Sequence, residues 1–306
     1  MDILKEVKLT NLQLMNAAGW CKTLDGVIAL CKTPIAEITV GSITVKPREL
    51  PEGDTFVSDE DGNSVNSRNL HNMGLDEFMK VLPTIAEIAR AAGKKIRVNV
   101  AGFEPYEYLE LVRAILLYVD VVELNFGCPN VWGESGQKPI VSFDIKLIRH
   151  IYELVSPHVN CDAESYVATK LSPFSDPMLL GQMIPLFKEF IDAIPEYVTC
   201  NTFPNAFMLK DDGRPAIAPA GGFGGMSGPG MRPIALGQGY RLHTDLAPVG
   251  GWVTIVGGIS HGKHLVDVLR CGIARAQVGR HWMTHGDGVF STMLREASEQ
   301  PGVIVE

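Results

Sequence analysis

A chain of 306 residues, 46% hydrophobic and 20% charged, can bury a large core and falls near the size of one (β/α)8 barrel, so one domain over residues 1–306 is expected. Its net charge of -8, with no local Lys/Arg cluster, argues against a nucleic-acid or anionic-membrane surface and leaves small molecules as partners. No apolar run approaches the ~18 residues of a membrane span, and MDILKEVKL lacks a signal peptide's apolar core, which points to the cytoplasm.

Val7 to Gly19 alternates apolar and polar residues around Thr10-Asn11, predicting a small hairpin ahead of the barrel. It ends in Asn16-Ala17-Ala18-Gly19, where low side-chain bulk either admits a flat ligand to the backbone or makes a tight turn. Ile35 to Val40 reads as the first barrel strand. The chain then stays irregular from Gly41 to about Asn72, as lids and ligand-binding segments do. Leu70-His71-Asn72-Met73-Gly74-Leu75 closes this stretch before a helix from Asp76 to Ala92, whose leading acids suit the helix dipole. Asn72 is either a ligand amide or a residue that starts the helix. Ile96 to Ala101 is a second strand, followed by a helix around Tyr106 to Leu117.

Val119 to Leu124, apolar and β-branched apart from its acids, has the pattern of a strand buried on both faces of a parallel sheet. Asn125, Cys128 and Asn130 follow in a turn that Gly127 and Pro129 force out of regular structure, where a barrel strand delivers reactive groups. Two amides and a thiol placed so can hold a planar polar molecule and exchange a proton with it. A helix from Phe143 to Val155, a strand from Ser165 to Leu171 containing Lys170, and a strand from Tyr197 to Asn201 leading into Thr202 come next. The glycine-dense stretch Gly221 to Gly230 reads as an ordered loop before a helix from about Arg232. Trp252 to Val256 runs into Gly257-Gly258, a helix spans about Lys263 to Cys271, and Ala274 to Val278 ends in Gly279-Arg280.

These last two strand-glycine-helix units have the form of a barrel phosphate site, to which Arg280 could add a bidentate contact; glycines that merely shorten loops would look the same. No G-x-G-x-x-G sits in a first βαβ unit, so a mononucleotide such as FMN fits better than NAD. Lys170 could form a Schiff base, neutralise a phosphate, stabilise a reduced flavin or lie on the surface. Cys128 could accept a proton or be an inert core thiol. The other five cysteines, Cys21, Cys31, Cys161, Cys200 and Cys271, read as packing thiols, and with no C-x-x-C pair neither an iron-sulfur cluster nor a structural zinc is suggested.

In this order and over nearly the whole length, the motifs Met15-Asn16-Ala17-Ala18-Gly19, Asn72-Met73-Gly74-Leu75, Leu124 to Asn130, Lys170-Leu171-Ser172-Pro173, Asn201-Thr202, Gly257-Gly258-Ile259 and Gln277-Val278-Gly279 resemble the class 1 dihydroorotate dehydrogenases, FMN-containing (β/α)8 barrels of pyrimidine and UMP biosynthesis. The resemblance implies that Cys128 takes the C5 proton of (S)-dihydroorotate while hydride passes from C6 to flavin N5. It implies substrate contacts at Asn72, Met73, Gly74, Leu75, Asn125, Asn130, Asn201 and Thr202. FMN contacts are implied at Ala17, Ala18, Gly19, Ser42, Asn99, Asn125, Lys170, Gly224, Gly225, Gly257, Gly258, Gly279 and Arg280, with no metal. A homodimer is expected. Gly224 to Pro229 resembles the NAD-linked subclass, whose barrel passes electrons to a subunit carrying FAD and [2Fe–2S]; direct reduction of fumarate is the other route.

Four positions depart from the family pattern: Gly41-Ser42 where a lysine usually precedes the serine, Asp76-Glu77 where Pro-Asn or Gln-Asn follows Gly-Leu, Gly127 for serine, and Arg280 for threonine. They keep open a flavin enzyme acting on another dihydropyrimidine or an enone. A phosphate-barrel lyase using Lys170 and a non-catalytic flavin-binding protein are the alternatives from other classes.

Overall fold

The computed structural model describes residues 6–133, 136–160 and 164–305; Cys161 lies outside them. Eight parallel strands close into a barrel in chain order: β1 (Gln13–Asn16), β2 (Glu37–Ile43), β3 (Lys95–Val100), β4 (Val121–Asn125), β5 (Tyr166–Lys170), β6 (Glu196–Val198), β7 (Trp252–Val256) and β8 (Arg275–Val278). Closure is made by β8 against β1, with Gln277 opposite Met15. Helices α1 (Leu24–Cys31), α2 (Leu75–Ala91), α3 (Pro105–Ile115), α4 (Ile145–Val155), α5 (Pro177–Glu189), α6 (Arg232–Leu246) and α7 (Gly262–Arg270) follow the first seven strands in turn. Two more, α8 (Arg280–His285) and α9 (Gly288–Ser298), follow β8. The period of the apolar residues explains the packing: in α2, Leu75, Phe78, Leu82, Ile85, Ala86 and Ala89 fall on one face and are buried against the sheet. Among the described residues no helix is long and apolar enough to cross a membrane.

The expected N-terminal hairpin does not form. Val7–Lys8 pairs in parallel with Val303–Ile304, and Gln13–Asn16 is itself the first barrel strand. Leu14, Met15 and Asn16 are buried there, and without them β8 and β2 would expose unpaired edges, which a closed barrel abolishes. Ile35 to Val40 thus falls within the approach to β2 and the strand itself rather than in a first strand.

The stretch from Gly41 to Asn72 is less irregular than its composition suggests. β2 continues to Ile43, and Phe56–Ser58 and Ser64–Asn66 pair with Phe223–Ser227 and Phe203–Phe207 in a four-stranded antiparallel sheet. The glycine-dense segment is therefore part of a sheet as well as a loop. It packs closely: a Cβ on Gly224 would collide with the Asn66 carbonyl, and one on Gly225 with Thr202.

The barrel interior is polar. Arg97 on β3 is fully buried and bridges three acids, donating to Glu37 on β2, to Glu123 Oε2 on β4 at 3.1 Å and to Glu196 Oε2 on β6 at 2.7 Å. Arg275 on β8 pairs with Glu37 at 3.0 Å and Glu196 at 3.4 Å. Burial alone would raise the Glu196 carboxyl, but Arg97 and Arg275 overcome it and hold it at about 2. Charges that share a layer across strands are invisible to a strand-by-strand reading.

Candidate active site

Among the described residues, two main cavities open at the carboxyl ends of the barrel strands, where the small antiparallel sheet folds over. The larger, of about 390 Å³, runs from Lys170 and Thr202 to the turns after β7 and β8. The smaller, of about 110 Å³, surrounds Cys128. Ala18, Trp20, Asn66, Lys170, Asn201 and Thr202 line both, so the spaces adjoin.

β4 ends at Asn125, and the chain after it turns so that the Cys128 thiol is half-buried in the smaller cavity. Burial pushes this thiol up to about 11, against the Asn130 backbone N–H and the cations Lys170, Arg48 and Lys22, which pull it down. Gly127 explains its own departure from the family pattern. A Cβ there would lie 2.5 Å from the Leu171 carbonyl and 2.6 Å from the Ser172 nitrogen, so the turn can pass the end of β5 only without a side chain. Gly127→Ala is expected to destabilise the protein by about 1–3 kcal/mol, as overpacking does, and to lower turnover by displacing Cys128. Denaturant unfolding and steady-state rates check both.

Behind the thiol, amides are fixed by one another. Asn201 donates to Asn125 Oδ1 at 2.9 Å; Asn125 donates to Ser42 Oγ at 3.1 Å and to Asn99 Oδ1 at 3.2 Å; Asn99 donates to Glu123 Oε1 at 2.7 Å. Asn130 donates to the Asn66 carbonyl at 2.8 Å. The chain of amides ends on Glu123, whose Oε1 lies 4.0 Å from Lys170 Nζ. Burial lowers the Lys170 ammonium's pKa, with Glu123 opposing the shift. Lys170 is thus a buried cation at the junction of the two cavities rather than a surface lysine.

At the far end of the larger cavity, Gly257, Gly258, Gly279 and Arg280 come together with His261 and His281. Arg280 donates to Ser58 Oγ at 3.2 Å, while its Nε is buried without a hydrogen-bond partner. Glu60 and Asp61 line the same cavity.

Most of the expected site residues converge here. Ala17, Ala18, Lys170, Gly257, Gly258, Gly279 and Arg280 line the larger cavity, and Gly19, Ser42, Asn125, Cys128, Asn130, Asn201 and Thr202 the smaller or both. Asn99 stands one layer behind them. Gly224 and Gly225 line neither; their role in the sheet is the close packing already described. Nor do Asn72, Met73, Gly74 and Leu75 line these cavities. The Asn72 carboxamide is fully engaged by the loop: Oδ1 accepts from Thr44 N and Gly74 N, and Nδ2 donates to Thr44 Oγ1 and the Leu70 carbonyl. These bonds hold the turn that leads into α2, whose own N-cap is Gly74. Asp76 and Glu77 are exposed in the first turn of that helix, with Glu77 paired to Lys80, so the acids do not face the site.

Sequence reasoning missed Trp20, Lys22, Asn66, Arg68 and Asn69, all lining the smaller cavity. The missing lysine before Ser42 has a steric cause as well: Gly41 has φ +111°, and a Cβ there would collide with the Asn99 carbonyl. Lys22, three residues past Gly19, was the one legible hint of replacement charge.

A closed parallel barrel with a cysteine, a buried lysine and two glycine turns beside an arginine at its carboxyl end belongs to the class of small-molecule barrel enzymes. The sequence profile of dihydroorotate dehydrogenase matches residues 3–300, and the chain belongs to that family of oxidoreductases. Proteins provisionally named dihydroorotate dehydrogenase A (fumarate) are similar to it. One from Streptococcus agalactiae serotype Ia is 26% identical over 292 residues, covering 94% of this chain and 88% of the relative. One from Streptococcus pyogenes serotype M1 is 28% identical over 292 residues, covering 92% and 87%. The fold is similar to that of the Eimeria tenella enzyme DHODH in complex with ferulenol, with TM-score 0.77, 16% identity and coverage of 95% of this chain and 83% of that one. These findings bear out the class 1 resemblance and the barrel, and the family sets the lyase and non-catalytic alternatives aside.

Proposed function

We propose that this chain oxidises (S)-dihydroorotate to orotate, with flavin mononucleotide held in the larger cavity and substrate in the smaller. The carrying observation is the juxtaposition of Cys128 and Lys170 across one continuous space. The residues present suit the cofactor: a cavity of about 390 Å³ is of cofactor size, and it ends at two glycine turns and a guanidinium with an orphaned buried Nε. Bound there, flavin mononucleotide supplies a two-electron, hydride-accepting ring.

The protein's own residues do the rest. Lys170 carries the positive charge that stabilises electron density arriving beside it, and its burial keeps that charge from being screened. Asn125, Asn130 and Asn201 present amides to the polar edge of a pyrimidine, Asn201 and Asn125 held by their shared hydrogen bond and Asn130 by its bond to the Asn66 carbonyl. Cys128, as thiolate, accepts the C5 proton, which the neighbouring C4 carbonyl acidifies. Support for fumarate as acceptor comes from the names of the Streptococcus relatives.

Under anaerobic conditions dihydroorotate is expected to bleach the yellow protein, and fumarate to restore the colour. Bleaching by dihydrouracil or an enone but not by dihydroorotate would transfer the reading to another substrate. Arg280→Ala is expected to weaken flavin mononucleotide binding by about tenfold or more, the loss of a hydrogen bond to a charged group, read as fluorescence recovery on titration.

A further inference from the structure

The smaller cavity is lined by three cations, Lys22, Arg68 and Lys170, and by no carboxylate. Lys170 faces Glu123. Among the described residues neither Lys22 nor Arg68 forms an ion pair with an acid. Arg68 lays its guanidinium over the Trp20 ring, with Cζ 4.3 Å from the centroid, and its Nε is buried with no hydrogen-bond partner. The indole fixes the guanidinium plane and leaves the donor fork free. Lys22 donates to the His71 carbonyl, which occupies only one of its three hydrogens. Burial, with Arg68 adding, lowers the Lys22 ammonium to about 8, against the Cys128 side, as expected of cations crowded without a counter-ion.

Two cations without a counter-ion, one of them with a buried unpaired Nε, leave charge uncompensated unless an anion arrives. We infer that Lys22 and Arg68 form the seat of the substrate's carboxylate, so that this pair, rather than a residue of the barrel strands, selects a carboxylated ring over its uncharged analogue. Arg68 offers a bidentate fork and Lys22 a point charge beside it. The seat lies in the cavity that also holds Cys128, so fixing the carboxylate there fixes the ring against the thiol. This assignment rests on the dihydroorotate reading for the ring, and on the geometry alone for the carboxylate.

The test compares equilibrium binding of orotate and uracil to the flavin-loaded protein. Wild type is expected to prefer orotate by about a hundredfold. Arg68→Met is expected to lose tenfold or more in orotate affinity while uracil binding stays unchanged; Lys22→Met loses less, and Arg68→Lys recovers part of the loss. Unchanged orotate affinity in both methionine variants, equal loss of orotate and uracil, or no wild-type preference overturns the assignment. Circular dichroism and retained flavin confirm folding. If dihydroorotate fails to bleach the wild type while the orotate preference still depends on Arg68, the substrate reading falls and the carboxylate seat stands.

Discussion

Replacing Cys128 with serine is expected to slow anaerobic bleaching by dihydroorotate by about 10²–10⁴-fold, the range for losing a general base, with flavin binding retained. The hydroxyl keeps the shape of the side chain and raises its pKa, so the defect is one of proton affinity rather than of packing. The sign of the pH dependence follows from the thiol. Burial raises it to about 11, so the thiolate fraction, and with it the bleaching rate, grows with pH across the neutral and alkaline range. Lys170, Arg48 and Lys22 pull the other way but do not overcome burial. Stopped-flow absorbance over a pH series reads both effects. An unchanged rate in Cys128→Ser would remove the thiol from the chemistry.

Arg97→Met is expected to destabilise the barrel by about 3–5 kcal/mol, because it leaves Glu37, Glu123 and Glu196 without the guanidinium that bridges them in a buried layer. Glu196 sits near 2, below its ordinary value, so its pairing contributes stability that is present above the unfolded carboxylate range and disappears as pH falls through the folded value. The variant lacks much of that contribution and buries charge it cannot compensate. Its deficit is therefore largest near neutral pH and narrows as acid protonates the carboxylates. Urea unfolding at pH 7 and pH 4.5 checks the sign. A deficit that grew on acidification would mean the network does not work this way. Because Glu123 also accepts from Asn99 and Gln277 and faces Lys170, the same variant should lose part of its activity.

What was legible beforehand divides along a physical line. Val121–Asn125 and the turn after it could be read because apolar runs, Gly127, Pro129 and the thiol are local features. The glycine turns at Gly257-Gly258 and Gly279 were local too, and they line the same cavity. Gln13–Asn16 was misread, because whether an alternating segment is a hairpin arm or the first stave of the barrel depends on partners some 260 residues away in β8. The Arg97 network escaped for the same reason: each acid or base is a single interruption in its own strand, and only the register brings them to one layer. Asn66, Arg68 and Asn69 reach the cavity through the small sheet, whose strands pair across Phe223–Ser227. Nearby Asn72, which carried the motif, is hydrogen-bonded within its own loop.

The most direct test of the central claim is single-turnover bleaching by dihydroorotate carrying deuterium at C5. If Cys128 removes that proton as the cofactor is reduced, deuterium slows the wild-type reaction and the rate climbs with pH. A rate indifferent both to C5 deuterium and to pH would contradict it.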